Sequence, residues 1–243
     1  MNSELHSLNF SGMGKCSGGE FDRVNISGTG KIQGNIKCSK FDASGMAKVF
    51  GDVESEKFNT SGVSKIEGNL YSKEIDVSGV LKCTGEANSN EVRVSGMATV
   101  EQSLKSHRIE GEGCLTVKGD IECEQVDVYG MIDCRGFLNC ENLELGLVGT
   151  SNINEVGASN IKIENGKSNS IGIFNVFTPA KYKNNKLVAN IIEGDDIVLE
   201  NCEAKVVRGK NIKIGENCKI NTVEYSENIE VDKKSKIENI NKV

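Results

Sequence analysis

Chemistry on this chain has few residues to start from. Its 243 residues include two histidines, nine cysteines, 29 lysines and arginines, and 35 aspartates and glutamates. A histidine acting as general base needs a second polar group held within hydrogen-bond reach. His6 lies in the polar residues 1–7, and His107 sits in a variable charged stretch, so neither has a partner at a fixed spacing. The carboxylates stand singly rather than as a pair flanking a site. No calcium-binding glycine-aspartate nonapeptide and no phosphate-cradling glycine loop occurs. No catalytic residue, metal ligand or cofactor site is therefore expected. The one arrangement of charge with a fixed spacing is a lysine series: Lys31, Lys48, Lys65 and Lys82 are 17 residues apart, and Lys15 is 16 before the first.

That spacing belongs to the whole first part of the chain. The segments beginning at Val24, Phe41, Phe58 and Ile75 align column by column, with Ser-Gly at Ser27/Gly28, Ser44/Gly45, Ser61/Gly62, Ser78/Gly79 and Ser95/Gly96. A second glycine column runs through Gly34, Gly51, Gly68 and Gly85. A fixed repeat of this length signals a solenoid. Within one repeat the small or apolar residues fall at 41, 43, 47, 49, 53 and 55. Pairs two apart are the inward residues of a very short strand, since strand side chains alternate in direction. The longer steps are corners. The expected fold is all-β: a parallel β-helix of about 17 residues per coil, triangular in section and right-handed, as most parallel crossovers are. Glycine at the corners is expected to supply positive φ, and the third corner (Glu56-Lys57, Lys73-Glu74) to be merely solvated. One coil buries too little to fold alone; only stacking gives a continuous core and a ladder on both sides.

Composition fits this reading. Hydrophobic content is 37%, with 27 glycines, one proline and no tryptophan, as suits a narrow interior with tight corners. A net charge of −6 argues against a nucleic-acid partner. No apolar run approaches a membrane span, and residues 1–10 do not read as a signal peptide. Cys38, Cys123 and Cys140 share an inward column with Ser55, Ser72, Ser89 and Ser106, while Cys16, Cys83 and Cys134 share another. Nine cysteines spread over core columns read as reduced thiols in a cytoplasm rather than as a disulfide framework.

Taken in order, residues 1–7 form a short polar lead, 8–157 a regular β-helix block, and 158–243 a divergent block continuing the stack. Phe174–Ala189 breaks phase and reads as a loop near 174–190. Phase returns at Ile197/Leu199, Ile212/Ile214 and Ile229/Val231. Roughly twelve to fourteen coils at ~4.8 Å each make a rod about 60 Å long. A solenoid exposes core side chains and an unpaired strand edge at each end unless a cap covers them. Leu8 and Phe10 at one end, and Ile229, Val231, Ile237 and Ile240 at the other, are the expected self-association residues.

The run of repeats S27-G-T-G-K-I-Q-G-N-I36, S44-G-M-A-K-V-F-G-D-V53 and S61-G-V-S-K-I-E-G-N-L70 resembles the bactofilins, bacterial polymer-forming cytoskeletal proteins. The resemblance is good from Phe10 to about Leu145 and loose beyond. It implies a right-handed β-helix joining end to end, without nucleotide, into filaments that act as a cytoplasmic scaffold. The expected partner is the protein itself. An anionic membrane surface facing the lysine column, at the inner face of the membrane, or a cell-envelope protein, is a second candidate. Many bactofilins carry a short N-terminal membrane hook, for which this lead offers only Leu5. The alternative from another class is a β-helix that binds or acts on carbohydrate, with the 174–189 loop as its site wall.

Overall fold

The computed structural model describes residues 5–166 and 185–243, as two compact units, Met1–Gly119 and Asp120–Val243. Among the described residues both are all-β, and their strands pair in parallel. Each unit is a β-solenoid.

In the first unit the register is the sequence period. Met46, Ala47, Lys48 and Val49 pair with Val63, Ser64, Lys65 and Ile66, which pair in turn with Val80, Leu81, Lys82 and Cys83. Each coil has a short strand such as Met46–Phe50 and a longer one such as Val53–Thr60. Only two breaks interrupt it, at the Ser-Gly corner and at the Gly-Asx corner. The third corner lies inside the longer strand. It is closed from within, because Ser72, Ser89 and Ser106 donate their hydroxyls to the carbonyls of Glu74, Glu91 and Arg108 at 2.8–2.9 Å. Outside, Lys57–Glu74 (2.8 Å) and Lys73–Glu56 (2.6 Å) bridge successive coils. The expectation of a merely solvated corner is corrected: an inward hydroxyl answers the carbonyl that the bend turns away from the ladder.

The glycines also have a different reason from the one expected. Among the described residues no Ser-Gly corner glycine has a left-handed φ; in the second column Gly34 does, at 104°. What the corners lack is room. A Cβ on Gly45 would lie 2.0 Å from the carbonyl oxygen of Gly28, and one on Gly62 would lie 2.0 Å from that of Gly45. The N–H groups of Ser44 and Gly45 both donate to Ile26 O, and those of Ser61 and Gly62 both donate to Ala43 O, which pulls each corner onto the coil before it. At the next corner the side chain does the stapling. Asn35 Oδ1 accepts from Asp52 N (2.9 Å), Asp52 Oδ1 from Asn69 N (2.7 Å), and Asn69 Oδ1 from Glu86 N (2.9 Å).

The inward columns are buried as the spacing requires, with the Phe41 and Phe58 rings stacked 4.9 Å apart. In the second unit the step between coils varies. Leu143 pairs with Ile161, Ile161 with Ile197, Ile197 with Ile212, and Ile212 with Ile229, so the inward column survives steps of 18, 36, 15 and 17. The loop expected near 174–190 falls largely on residues 167–184, outside the described residues. Its far end is corrected: Lys186–Leu199 is strand, because Leu187 and Ala189 face the core. Two corners in this unit use asparagine in the left-handed region, Asn201 (52°) and Asn217 (60°), where its short polar side chain is tolerated.

All nine cysteines are free thiols. Burial pushes the Cys38 and Cys140 thiols up to about 12 and those of Cys83 and Cys134 to about 11. Cys123, assigned to the same column as Cys38 and Cys140, is only half-buried. Its N–H still donates to Asn139 O (2.9 Å) and its thiol to Gln125 O (3.0 Å), the bond that Ser72 makes to Glu74 at the same corner.

Two outcomes follow from this packing. Gly62→Ala is expected to destabilise the first unit by about 1–3 kcal/mol, the usual range for overpacking, in chemical denaturation. Ser61→Ala, at an exposed neighbour, changes it little. In native protein iodoacetamide is expected to reach only the half-buried Cys16, Cys114 and Cys123, and mass spectrometry finds the six buried thiols labelled only in denaturant, since a covered thiol is out of the reagent's reach.

Candidate functional site

The residues expected to mediate self-association form two sets, one in each unit. Leu8 and Phe10 lie on the strand Leu8–Phe10, paired with Val24 and Ile26. Both are half-buried. The Phe10 ring folds inward over two glycines: a Cβ on Gly14 would come within 2.1 Å of it, and one on Gly30 within 2.8 Å. The column that holds Ala47, Ser64 and Leu81 in later coils therefore shrinks to glycine where the ring needs the volume. Phe10 is a plug for the first coil, with Leu8 beside it at the edge.

At the other set, each residue stands at the last described position of an inward column. Ile229 pairs with Ile212, Val231 with Ile214, Ile237 with Ile220, and Ile240 with Val223. Ile163, Leu199 and Ile214, which precede Val231 in its column, are at most 1% exposed, whereas Val231 is 42% exposed. Val156, Ile192, Val207 and Val223 precede Ile240 at 0%, and Ile240 is 49% exposed. Among the described residues the strand Lys236–Lys242 pairs on one side only, with Lys219–Val231.

The lysine column stands as the spacing requires, on one outward face of the first unit. Its charge is partly offset: Lys48 and Lys65 both meet Glu67 (2.9 and 2.7 Å), and Lys82 meets Glu101 (2.9 Å) with Lys118 on the same carboxylate. Lys48 Nζ also lies 4.3 Å from the Phe50 ring centroid. These cations hold the Glu67 carboxyl below its ordinary value and bring that of Glu101, through Lys118 first and then Lys82, to about 2.

Elsewhere chemistry has little to work with. His6 and His107 are exposed, and His107 stands in the outward corner column of Glu56, Lys73 and Asn90. Among the described residues no group of three or more His, Cys, Asp or Glu is placed to hold a metal ion. In the second unit a shallow groove of about 400 Å³ is lined by the asparagine corners with Lys186, Glu203 and Lys219. Its polar groups answer one another: Asn185 Nδ2 donates to Asn165 Oδ1 (2.8 Å), Asn217 Nδ2 to Asn201 Oδ1 (3.1 Å), and Glu203 bridges Lys186 (2.9 Å) and Lys219 (3.3 Å). The loop expected to wall a carbohydrate site lies mostly outside the described residues. No helix of the described residues is long and apolar enough to cross a membrane.

Comparison with known proteins adds a short likeness. The chain is 53% identical over 55 residues to YhbF of Bacillus subtilis (strain 168), an uncharacterized protein, covering 23% of each chain. It is 46% identical over 57 residues to YhbE of the same organism, also uncharacterized, covering 24% of each. The likeness thus spans about a quarter of the length of these relatives, or roughly three 17-residue repeats. No family model and no solved structure matches the chain.

The Glu101 geometry sets an expected titration. A carboxyl whose folded value lies below its unfolded value stabilises the fold above the unfolded value, and this is lost as pH falls through the folded one. For Glu101 that window runs from 4.5 down to about 2. Side-chain carboxyl NMR is expected to place the Glu101 midpoint near 2, and Lys82→Ala with Lys118→Ala to return it toward 4.5.

Proposed function

We propose that this protein is a structural polymer, assembling end to end without nucleotide into filaments that serve as a cytoplasmic scaffold in a bacterium, in the manner its repeats suggest by their resemblance to the bactofilins. The observation that supports this most is the surface of the last described coil. Columns sealed for three or four coils end on Val231 and Ile240 with nearly half of each side chain in water. Another coil laid on that surface buries them, and it also gives the unpaired N–H and C=O groups of Lys236–Lys242 a ladder partner. The coil available in a second copy is the first, whose edge carries Leu8 over a core already plugged by Phe10. Neither end calls for a nucleotide: the contact is apolar burial and backbone pairing, both present in water alone.

The test uses Leu8→Arg and Ile240→Arg, which place a charge in the joint and leave the coils beneath stacked. Phe10 is unsuited, since its ring belongs to the fold of the first coil. Burying an unpaired charge costs several kcal/mol. Sedimentation velocity in buffer with chelator and no nucleotide is expected to show large assemblies for the wild type, and short species for both variants with an unchanged β-rich circular dichroism spectrum. Lys48→Glu, outward on the face, is expected to assemble as the wild type does. A strict need for ATP, GTP or calcium, or loss of assembly in Lys48→Glu while both end variants assemble, overturns the proposal.

A further inference from the structure

One face of the first unit is unlike any other surface of its repeats. The short strands place one outward side chain immediately after each Ser-Gly corner, and pairing aligns these from coil to coil: Met13 with Thr29, Thr29 with Met46, then Val63, Val80 and Met97. Five of the six are apolar, and four of these lie in water: Met13 is 91% exposed, Met46 57%, Val63 47% and Met97 55%, while Val80 is half-buried. Five coil steps at ~4.8 Å make this stripe about 24 Å long. Two residues along the same strands, roughly 7 Å away, runs the parallel column of Lys15, Lys31, Lys48, Lys65 and Lys82.

The charge on this face opposes that of the chain. The three outward rows of these strands hold six lysines, the five above and Lys118, against two glutamates, Glu67 and Glu101, a balance of 6 − 2 = +4 on a protein whose net charge is −6. The glutamates are spent on Lys48, Lys65, Lys82 and Lys118. Among the described residues Lys15 and Lys31 make no ion pair and are exposed. The other outward columns mix both signs, as in Lys37–Glu54 and Lys57–Glu74, and hold no comparable apolar series.

We propose that this face lies on an anionic lipid bilayer, with the Met13–Met97 stripe entering the headgroup boundary and the lysine column against lipid phosphates and carboxylates. Three observations favour lipid over protein as the occupant. The stripe is one residue wide, and at about 24 Å by 7 Å it offers roughly 170 Å², well short of the ~800 Å² per partner of a stable protein interface. Methionine and lysine are long, flexible side chains that suit a fluid partner better than a shaped one. An apolar row beside a cationic one is also the pattern by which surface-lying elements hold to anionic membranes. The contact runs through the solenoid itself and needs neither the lead residues nor a polymer, although assembly would repeat the face many times along one membrane.

Co-sedimentation of the full chain with vesicles tests this, using phosphatidylcholine alone and phosphatidylcholine with 30% phosphatidylserine (~30 mol%). The wild type is expected to bind the anionic vesicles at least about tenfold more strongly than the neutral ones, and less as salt rises. Two double variants change only exposed positions: Lys15→Glu with Lys31→Glu, and Met46→Ser with Met97→Ser. Both are expected to keep the wild-type circular dichroism and melting, and each to lose most of the anionic-vesicle binding. Ile240→Arg, which acts on the polymer joint, retains binding per chain, so failure of the polymer and failure of this face are read separately. Absence of wild-type binding overturns the inference. So does binding that neither double variant changes, or binding that only the lysine pair changes, which is charge adhesion without the stripe. A wild type that ignores vesicles but forms lateral dimers dispersed by Met46→Ser with Met97→Ser assigns the face to a second copy instead.

Discussion

Each coil of the first unit rests on the one before it with no clearance at the Ser-Gly corner. The carbonyl of one corner glycine lies where the next would put a Cβ, and paired N–H groups hold the two corners in that contact. Everything else in the unit depends on this close approach. It lets every strand keep its ladder at the ordinary parallel spacing, and after a first step of 16 residues the register holds at 17. Because the register is constant, side chains of one type stack upon themselves. Inside, this makes columns such as Val24, Phe41, Phe58 and Ile75; outside, it makes ladders of complementary charge such as Lys37–Glu54 and Lys57–Glu74.

Much of this was legible in the sequence because a solenoid converts period into contact. Residues 17 apart must touch, so a column read in the sequence is a column in space. What was not legible depended on the contents of the gap between neighbours. The Ser-Gly corners looked like positions for unusual φ, and proved to be positions for missing volume. Sequence spacing cannot separate the two, since both exclude a side chain. Phe10 looked like an end residue open to a partner, and nothing in the spacing tied it to Gly14. In fact the ring of one occupies the space left by the other. In the second unit a constant period fails, with steps of 15, 18 and 36, and there only the alternation at Ile161, Ile197, Ile212 and Ile229 carried the reading.

The lysine column was found from the sequence, but the apolar column two residues before it was not. A methionine or valine after a corner looks like ordinary variation one repeat at a time. Only the register shows that Met13, Met46, Val63 and Met97 share one face in water. At the last coil the sequence did single out Val231 and Ile240, and the register adds that they continue columns sealed elsewhere. In this account the interior specifies the fold, while function rests on two surfaces where repetition leaves apolar groups uncovered: the ends of the columns and one face.

The central claim, that copies join coil on coil, fixes the direction of the strand spacing in any filament the protein forms. Fibre diffraction from aligned filaments of the full chain, grown without nucleotide, reads this directly. Coil-on-coil assembly places the ~4.8 Å reflection on the meridian, along the filament axis. A reflection of that spacing on the equator means that copies associate side by side, and a chain that stays dispersed at high concentration forms no joint at all; either result contradicts the account.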